Sequence, residues 1–363
     1  MYTVYADNEL LYSPTLVHEG FAISSPKLSF ELNKAGSFEF LLPPNNKRYS
    51  DLTKLKTIIT VSEDDEEIFR GRILYDEKDF YKRKQVSCEG QMAFLNDSVL
   101  RPFSYTGGIK GFLSMILDNH NSQVEESKQF KLGQITVVDS NDYINRSSIN
   151  HMSTWDVIEQ KLIKTHGGYI RIRKGSDGYY LDYLKSYNST NNQVIEFGKN
   201  LIDLTEYVTA EDLFTCLIPL GVTLNTETGE KLTIESVNGG KDYIQNDTAI
   251  SLFGKVWRTQ EWEDVTVASN LLNKAKRFLQ EYINLAVSLN ISAVDLHLLD
   301  VNTSSIRLGD SIRVVSVPHD LDKYFLCSKI DLDLQSPDKT AYTMGVCFKT
   351  LTQQQLEILK RTN

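Results

Sequence analysis

The chain has 363 residues, 41% hydrophobic and 24% charged, with net charge −9 and a pI near 5.3. This is ordinary globular composition on a chain too long for one small core, so two or three domains are expected rather than disorder. No apolar run approaches the roughly 18 residues of a membrane span, and no concentrated basic arm exists to grip nucleic acid. Asp7 and Glu9 stand where a signal peptide would be basic and then apolar, so no signal peptide and no membrane insertion are expected.

Residues 1–98 read as all-β. "FAISSPKLSFELNKAGSFEFLLP" alternates apolar and polar positions around turn signals at Ser25-Pro26 and Ala35-Gly36. "KTIITVSEDDEEIFRGRILYDEKDF" predicts two strands joined by an acidic turn from Ser62 to Glu67, which is better explained as a solvated turn than as a docking patch. "KQVSCEG" adds another strand. From 99 to 200 the pattern mixes. Phe112, Met115 and Ile116 lie at helical spacing despite Gly111, and Ser153 with Asp156 forms a capping pair for a helix that Gly167-Gly168 ends. Tyr169 to Leu184 predicts a hairpin. Residues 201–240 return to strand pattern, with "KLTIES" as a strand after the turn "TETGE". A helix is expected at about 266–289, with Leu271, Ala275, Phe278, Tyr282 and Leu285 on one stripe. Strands follow: Val294, Leu296 and Leu298 alternate, then "LGDSIRVVSV" and "YFLCSKIDLDL". Thr352 and Gln355 would cap a short last helix.

One pattern occurs twice. "IITV" leads through a turn to Phe69 and on to Gly90, 21 positions later; "SIRVV" leads through a turn to Phe325 and on to Gly345, 20 positions later. Such spacing suits two related β-barrels in one chain.

No catalytic constellation is visible in the sequence. The cysteines Cys88, Cys216, Cys327 and Cys347 form no C-x-x-C pair and sit in apolar, strand-like settings, as reduced core thiols do. The histidines His18, His120, His151, His166, His297 and His319 include no H-E-x-x-H or H-x-H spacing. His120 in "DNHN" is the most metal-like by its neighbours, but a polar loop after a helix explains it better. His166 precedes the glycines that end a helix, where an imidazolium would suit the dipole. "VNGGKD" at 237–242 has only two glycines and no helix directly after it, a weak phosphate-loop match, and there is no G-x-S-x-G elbow. No catalytic, metal or cofactor-binding residue is assigned.

The blocks "THGGYIRIRK", "YYLDYL", "QVIEFGKNLIDL", "TCLIPLG" and "GEKLTIESVNGGKDYI", in that order, resemble the prophage tail family. These are the N-terminal hub regions of tail-associated lysins from phages of Gram-positive bacteria, also called prophage endopeptidase tail proteins. The resemblance runs over most of the chain and is strongest from about 145 to 255. It implies a fold similar to the baseplate hubs of contractile-tailed phages such as Mu: α+β, mainly β, two related β-barrels with two inserted domains. Mapped here, the first barrel would be 1–98 and the first insert 99–200. The second barrel would be 201–240 plus 291–350, with a helical insert 241–290 and a tail helix 351–363.

The resemblance further implies a homotrimeric ring in the tail tip of the virion, assembled in the bacterial host cytoplasm. The ring would join the sixfold tail tube and distal tail protein to a threefold tail fibre or lysin, with DNA passing through unbound. Family members called endopeptidases carry catalytic or fibre domains after the hub region; none is expected here, so no enzymatic role is carried over. Two other readings remain. A peptidoglycan endopeptidase would use Cys216 or Cys88 with a distant His, and a cell-surface carbohydrate-binding module would use the 18 Tyr and 3 Trp.

Overall fold

Apolar alternation over the first ninety residues folds as one antiparallel sheet. In the computed structural model the described residues are 1–139, 143–187, 189–208, 213–225, 227–263, 265–284, 287–298 and 303–345. The chain starts with β1 (Tyr2–Ala6) and β2 (Glu9–Tyr12), then β3 (Ser24–Glu31), β4 (Ser37–Leu42), β5 (Ile58–Glu63), β6 (Glu66–Lys78) and β7 (Lys84–Gly90), in the spatial order β3-β4-β7-β6-β5-β1-β2. The period of two puts Phe38, Phe40 and Leu42 of β4 on one face. There they pack with Val4, Ile59, Val61, Phe69 and Ile73, the Phe38 ring lying 5.0 Å from Phe40 and 5.9 Å from Phe69.

A mixed unit follows: β8 (Val99–Leu100), β9 (Phe103–Gly107), α1 (Ile109–Asn121), β10 (Lys131–Ile135), β11 (Ile144–Ser148) and β12 (Met152–Ser153). Helix α2 (Thr154–Ile158) continues through a π turn (Glu159–Ile163) into α3 (Lys164–His166), and β13 (Tyr169–Gly175) and β14 (Gly178–Leu184) form the expected hairpin. The Ser153 hydroxyl caps α2 by accepting from the Asp156 amide at 3.1 Å, as its sequence position predicts. Ile109, Phe112, Leu113, Ile116 and Leu117 bury the inner stripe of α1 against Phe94, Val157, Ile158 and Tyr183.

The second half begins with β15 (Ser189–Glu196) and β16 (Leu201–Val208). A smaller unit follows, with β17 (Cys216–Leu220), β18 (Thr223–Asn225), β19 (Glu230–Lys231), β20 (Ile244–Gln245), α4 (Asp247–Phe253), β21 (Trp257–Glu261) and α5 (Ala268–Asn284). Its core holds Phe214, Leu217, Ile234, Trp262, Leu271 and Ala275. The chain then returns through β22 (Val287–Ala293), β23 (Asp310–Ser316), β24 (Leu321–Asp333) and β25 (Ala341–Met344). These strands join β15 and β16 around Ile195, Ile291, Ile312, Val314, Cys327 and Tyr342.

Strand β24 pairs with β3, from Lys329↔Glu31 to Asp333↔Lys27, so the two β units form one thirteen-stranded sheet. Phe30 and Leu332 pack against both cores at this seam. The described residues are 44% strand and 22% helix, the mainly β α+β class expected. Among the described residues, however, no pairing closes a barrel: β3, one edge of the first unit, is occupied by β24 of the second.

Three local expectations are corrected. Residues 294–298 are not strand: Leu296–Leu298 form a 3₁₀ turn, because the Asp295 carboxylate accepts from the His297 amide and Gln193 accepts from the Leu296 amide. The helix at 266–289 ends at Asn284, because 287–293 is held as a strand between β16 and β25. "KLTIES" is not a strand beyond Lys231; Glu235–Val237 is a 3₁₀ turn that leaves Ile234 in the core. The expected last helix, with Thr352 and Gln355, lies outside the described residues, as does Cys347.

Candidate functional site

The nucleophile candidates are inaccessible. Cys88, Cys216 and Cys327 are buried and form no disulfide among the described residues, and burial pushes the Cys88 thiol far above its ordinary pKa. His120 is not in a polar loop: it is fully buried at the end of α1, stacked 5.6 Å from Phe130. Its Nδ1 meets the Ser98 hydroxyl at 2.7 Å, its Nε2 meets the Lys128 carbonyl at 3.1 Å, and Ser98 meets Thr154 at 2.6 Å. With Nε2–H donating to the carbonyl, Thr154 donates to Ser98 and Ser98 to Nδ1, so every polar atom in this sealed chain is satisfied. This Ser–His pair lacks the access that a catalytic pair needs. His166 carries no imidazolium either. Burial and then the Arg146 guanidinium depress its pKa to about 4, and Arg146 donates to its Nε2 at 2.8 Å. Among the described residues no three His, Cys, Asp or Glu side chains cluster as metal ligands, and no helix is long and apolar enough to cross a membrane. In "VNGGKD", Gly239 and Gly240 take left-handed backbone and the Gly240 amide is spent on the Glu235 carbonyl, so the segment is a turn.

The acidic turn that the sequence marks as solvated ties three units together. Asp64 and Asp65 both adopt positive φ, 45° and 70°, the geometry of a tight hairpin turn. Around them, Asp64 pairs with the N-terminal amine and Glu66 accepts from Arg307 at 2.7 Å. Glu67, only 10% exposed, accepts from Lys174 and from the Tyr179 hydroxyl, both at 3.0 Å. Lys174 and Tyr179 belong to the β13–β14 hairpin and Arg307 to the loop before β23, so one turn contacts the mixed unit and the second β unit.

Beside this turn lies a cavity of about 250 Å³. Phe30, Ile68, Ile306, Leu308 and Leu332 give it apolar walls, and Arg171 and Arg307 line it as well. Tyr2 and Tyr342 also border it; burial first, and then Glu63 for Tyr2 and Asp295 for Tyr342, raise both phenols well above their ordinary pKa. Asp295 accepts from Ser305 at 3.0 Å, the Ile306 amide at 2.9 Å, the His297 amide at 2.9 Å and Gln193. Four donors hold this buried carboxylate.

The outward side of β6 is buried too. Phe69 and Ile73 face the first core, while Arg70 and Arg72 lie over Phe94 of the mixed unit at 5.6 and 5.2 Å. Arg72 pairs with Glu89 and with both oxygens of Asp97. Burial works against the Asp97 carboxylate, but Arg72 and Lys128 outweigh it and hold its pKa below the usual range. A strand in which "FRGR" alternates this way reads as half-solvated, so nothing local marks these arginines as an inter-unit seal.

Two surfaces remain open. A groove of about 1170 Å³ runs between the 138–166 and 261–277 regions, with Arg146, Lys161 and Arg277 among its lining residues. At the far end of β6 the tip Asp79–Arg83 projects Phe80, 93% exposed, and Tyr81, 70% exposed, their rings 5.4 Å apart.

Residues 188–355 match the family model described as "Prophage endopeptidase tail". No curated protein matches the sequence. The fold is similar to that of a 43 kDa tail protein of prophage MuSo2 from Shewanella oneidensis, at TM-score 0.66 and 10% identity, covering 94% of this chain and 97% of that one. A tail protein from Neisseria meningitidis MC58 matches at TM-score 0.66 and 14% identity, over 94% and 95% of the two chains. The prophage tail protein gp18 from Listeria monocytogenes EGD-e matches at TM-score 0.59 and 15% identity, over 93% and 92%. Residues 188–355 thus match the prophage tail family model, within a fold that is similar to those of prophage tail proteins over nearly the whole chain.

Proposed function

We propose that the protein is a structural hub of a phage tail tip: a trimeric ring between the sixfold tail tube with its distal tail protein and a threefold fibre or lysin, leaving a channel for DNA. The observation that carries this reading is the internal duplication of plan. The meander β5-β6-β7 and the meander β23-β24-β25 share order, antiparallel pairing and a 13-residue middle strand. Two such units per chain would present six similar surfaces per trimer, which reconciles sixfold with threefold symmetry. Three copies would carry three times −9, or −27, and a ring of that net charge would suit the passage of DNA without many counterion-releasing contacts.

Within this reading the domains follow the cores. The first β unit is 1–98 and the mixed insert continues to about 187. We draw the second β unit as 189–208 plus 287–345 in place of 201–240 plus 291–350, and start its insert near 213 in place of 241, because Phe214 and Leu217 share a core with Trp262 and Leu271. We propose no catalytic step for this chain. The experiment is size-exclusion chromatography with light scattering, followed by negative-stain microscopy, on the full chain alone and with its distal tail protein. Rings of three copies are expected; a monomer under all conditions that never engages the distal tail protein sinks the reading.

A further inference from the structure

The two ends of β6 carry complementary surfaces. At its start lie the apolar junction cavity and the acidic turn Glu63–Glu66, in which Asp64 and Glu66 are paired within the chain and Asp65 is exposed. At its end the Asp79–Arg83 tip displays Phe80 and Tyr81 beside Lys82; Arg83 is paired with Asp79, and the exposed Lys78 and Glu77 lie just before the tip. This tip is a built turn rather than a loose loop. The Asp79 carboxylate accepts from the Arg83 amide at 2.9 Å and from its Nε at 2.7 Å, the Asp79 amide donates to the Arg83 carbonyl at 2.9 Å, and Tyr49 donates to the Lys82 carbonyl. A rigid aromatic pair exposed on a basic turn costs little further ordering when it docks. Thirteen residues of strand put the two surfaces about 40 Å apart.

We propose that copies of this chain join head to tail, the Phe80–Tyr81 knob of one copy entering the junction cavity of the next beneath its acidic turn. The proposal rests on the ring reading above and names the contact that would close it. A two-fold contact through either surface would set acid against acid or base against base. A heterologous contact instead sets base against acid, and it closes into a ring when the rotation between copies permits. The cavity of about 250 Å³ exceeds the roughly 150 Å³ that holds a benzene ring in a protein interior. The cationic groups on its wall do not oppose the knob: Arg307 is paired with Glu66 and Arg171 with Asp182, and guanidinium faces accept aromatic rings.

The test compares the mass and ring fraction of the wild-type full chain with those of Phe80→Ser/Tyr81→Ser, and then of Lys82→Glu alone and with Asp65→Lys. The aromatic changes lie on an exposed tip, so an unchanged melting temperature is expected alongside at least about tenfold weaker ring formation. Lys82→Glu should weaken the ring and the added Asp65→Lys should restore it. Rings that survive loss of both aromatics overturn this contact and leave the hub reading standing. Rings that survive while capture of the distal tail protein is lost assign the knob to that partner and overturn the proposal equally. A wild-type chain that forms no ring alone or with its distal tail protein removes the hub reading, and this contact with it.

Discussion

In residues 58–90 and again in 310–344, a short strand, a 13-residue strand and a closing strand form an antiparallel meander with a register shift along the long strand. The middles differ. In the first meander Gly71 faces Gly90 across the ladder; in the second Cys327 faces Met344. A Cβ on Gly90 would lie 1.9 Å from the Ala35 carbonyl oxygen, and one on Gly71 would lie 2.2 Å from that of Glu89 and 2.7 Å from the Phe69 ring. The first meander is therefore pinched so that Phe69 can cross its glycines, while the second is filled by sulfur-bearing side chains. The outer faces differ as well. Arg70 and Arg72 are sealed under the mixed unit, whereas Arg313 pairs with Asp322 in the open. One plan serves two environments, and the environment decides what each position tolerates.

The sharpest way to break this comparison is to exchange the fillings. Gly90→Ala should cost more than about 4 kcal/mol and abolish cooperative folding of the first unit, while Cys327→Ala in the second should cost about 1–2 kcal/mol. Urea denaturation of the two variants checks it, and equal losses would mean that the two middles are not different in kind. Next in size are the arginines. Arg72→Ala strips a buried group from Glu89 and Asp97 and should cost about 3–5 kcal/mol, whereas Arg313→Ala should leave the urea midpoint where it was.

Acid offers a third contrast. The folded pKa of His166, about 4, lies below its unfolded value, so the unfolded chain binds the extra proton. Stability from this group is complete above about pH 6.5 and is lost as pH falls toward 4, by at most about 3 kcal/mol. Hydrogen exchange between pH 7 and 5 should lose protection in residues 144–183 before 310–344, and His166→Gln should remove the difference. The smallest effect is expected at the exposed Glu66–Arg307 pair that links the two regions: a double-mutant cycle should give a coupling below about 0.5 kcal/mol. A larger coupling would make this pair, rather than the β3·β24 seam, the main tie between them.

Much of the architecture was legible because it depends on short-range periodicity. The hairpin at 169–184, the Ser153 cap, the inner stripe of α1 and the repeated strand-turn-strand pattern are all written within about twenty residues of chain. The misread segments share another cause. "KLTIES" and residues 294–298 alternate like strands, but Ile234 and Leu296 are placed by partners far away in sequence. His120 shows the same limit: its polar neighbours "DNHN" suggest a loop, yet Ser98, Lys128 and Thr154 enclose it from three other places.

Local pattern and block order were enough for the amino-acid sequence to carry the mainly β class, the two matching meanders and the family resemblance. Only the tertiary structure decided that β24 joins β3, that Arg70 and Arg72 are sealed between units, and that the acidic turn at 62–67 is an internal tie as well as a solvated loop. A strand's polar face looks the same in sequence whether water or another unit covers it. Which of them does so depends on contacts between residues a hundred or more positions apart, as Glu67 with Lys174 and Glu66 with Arg307.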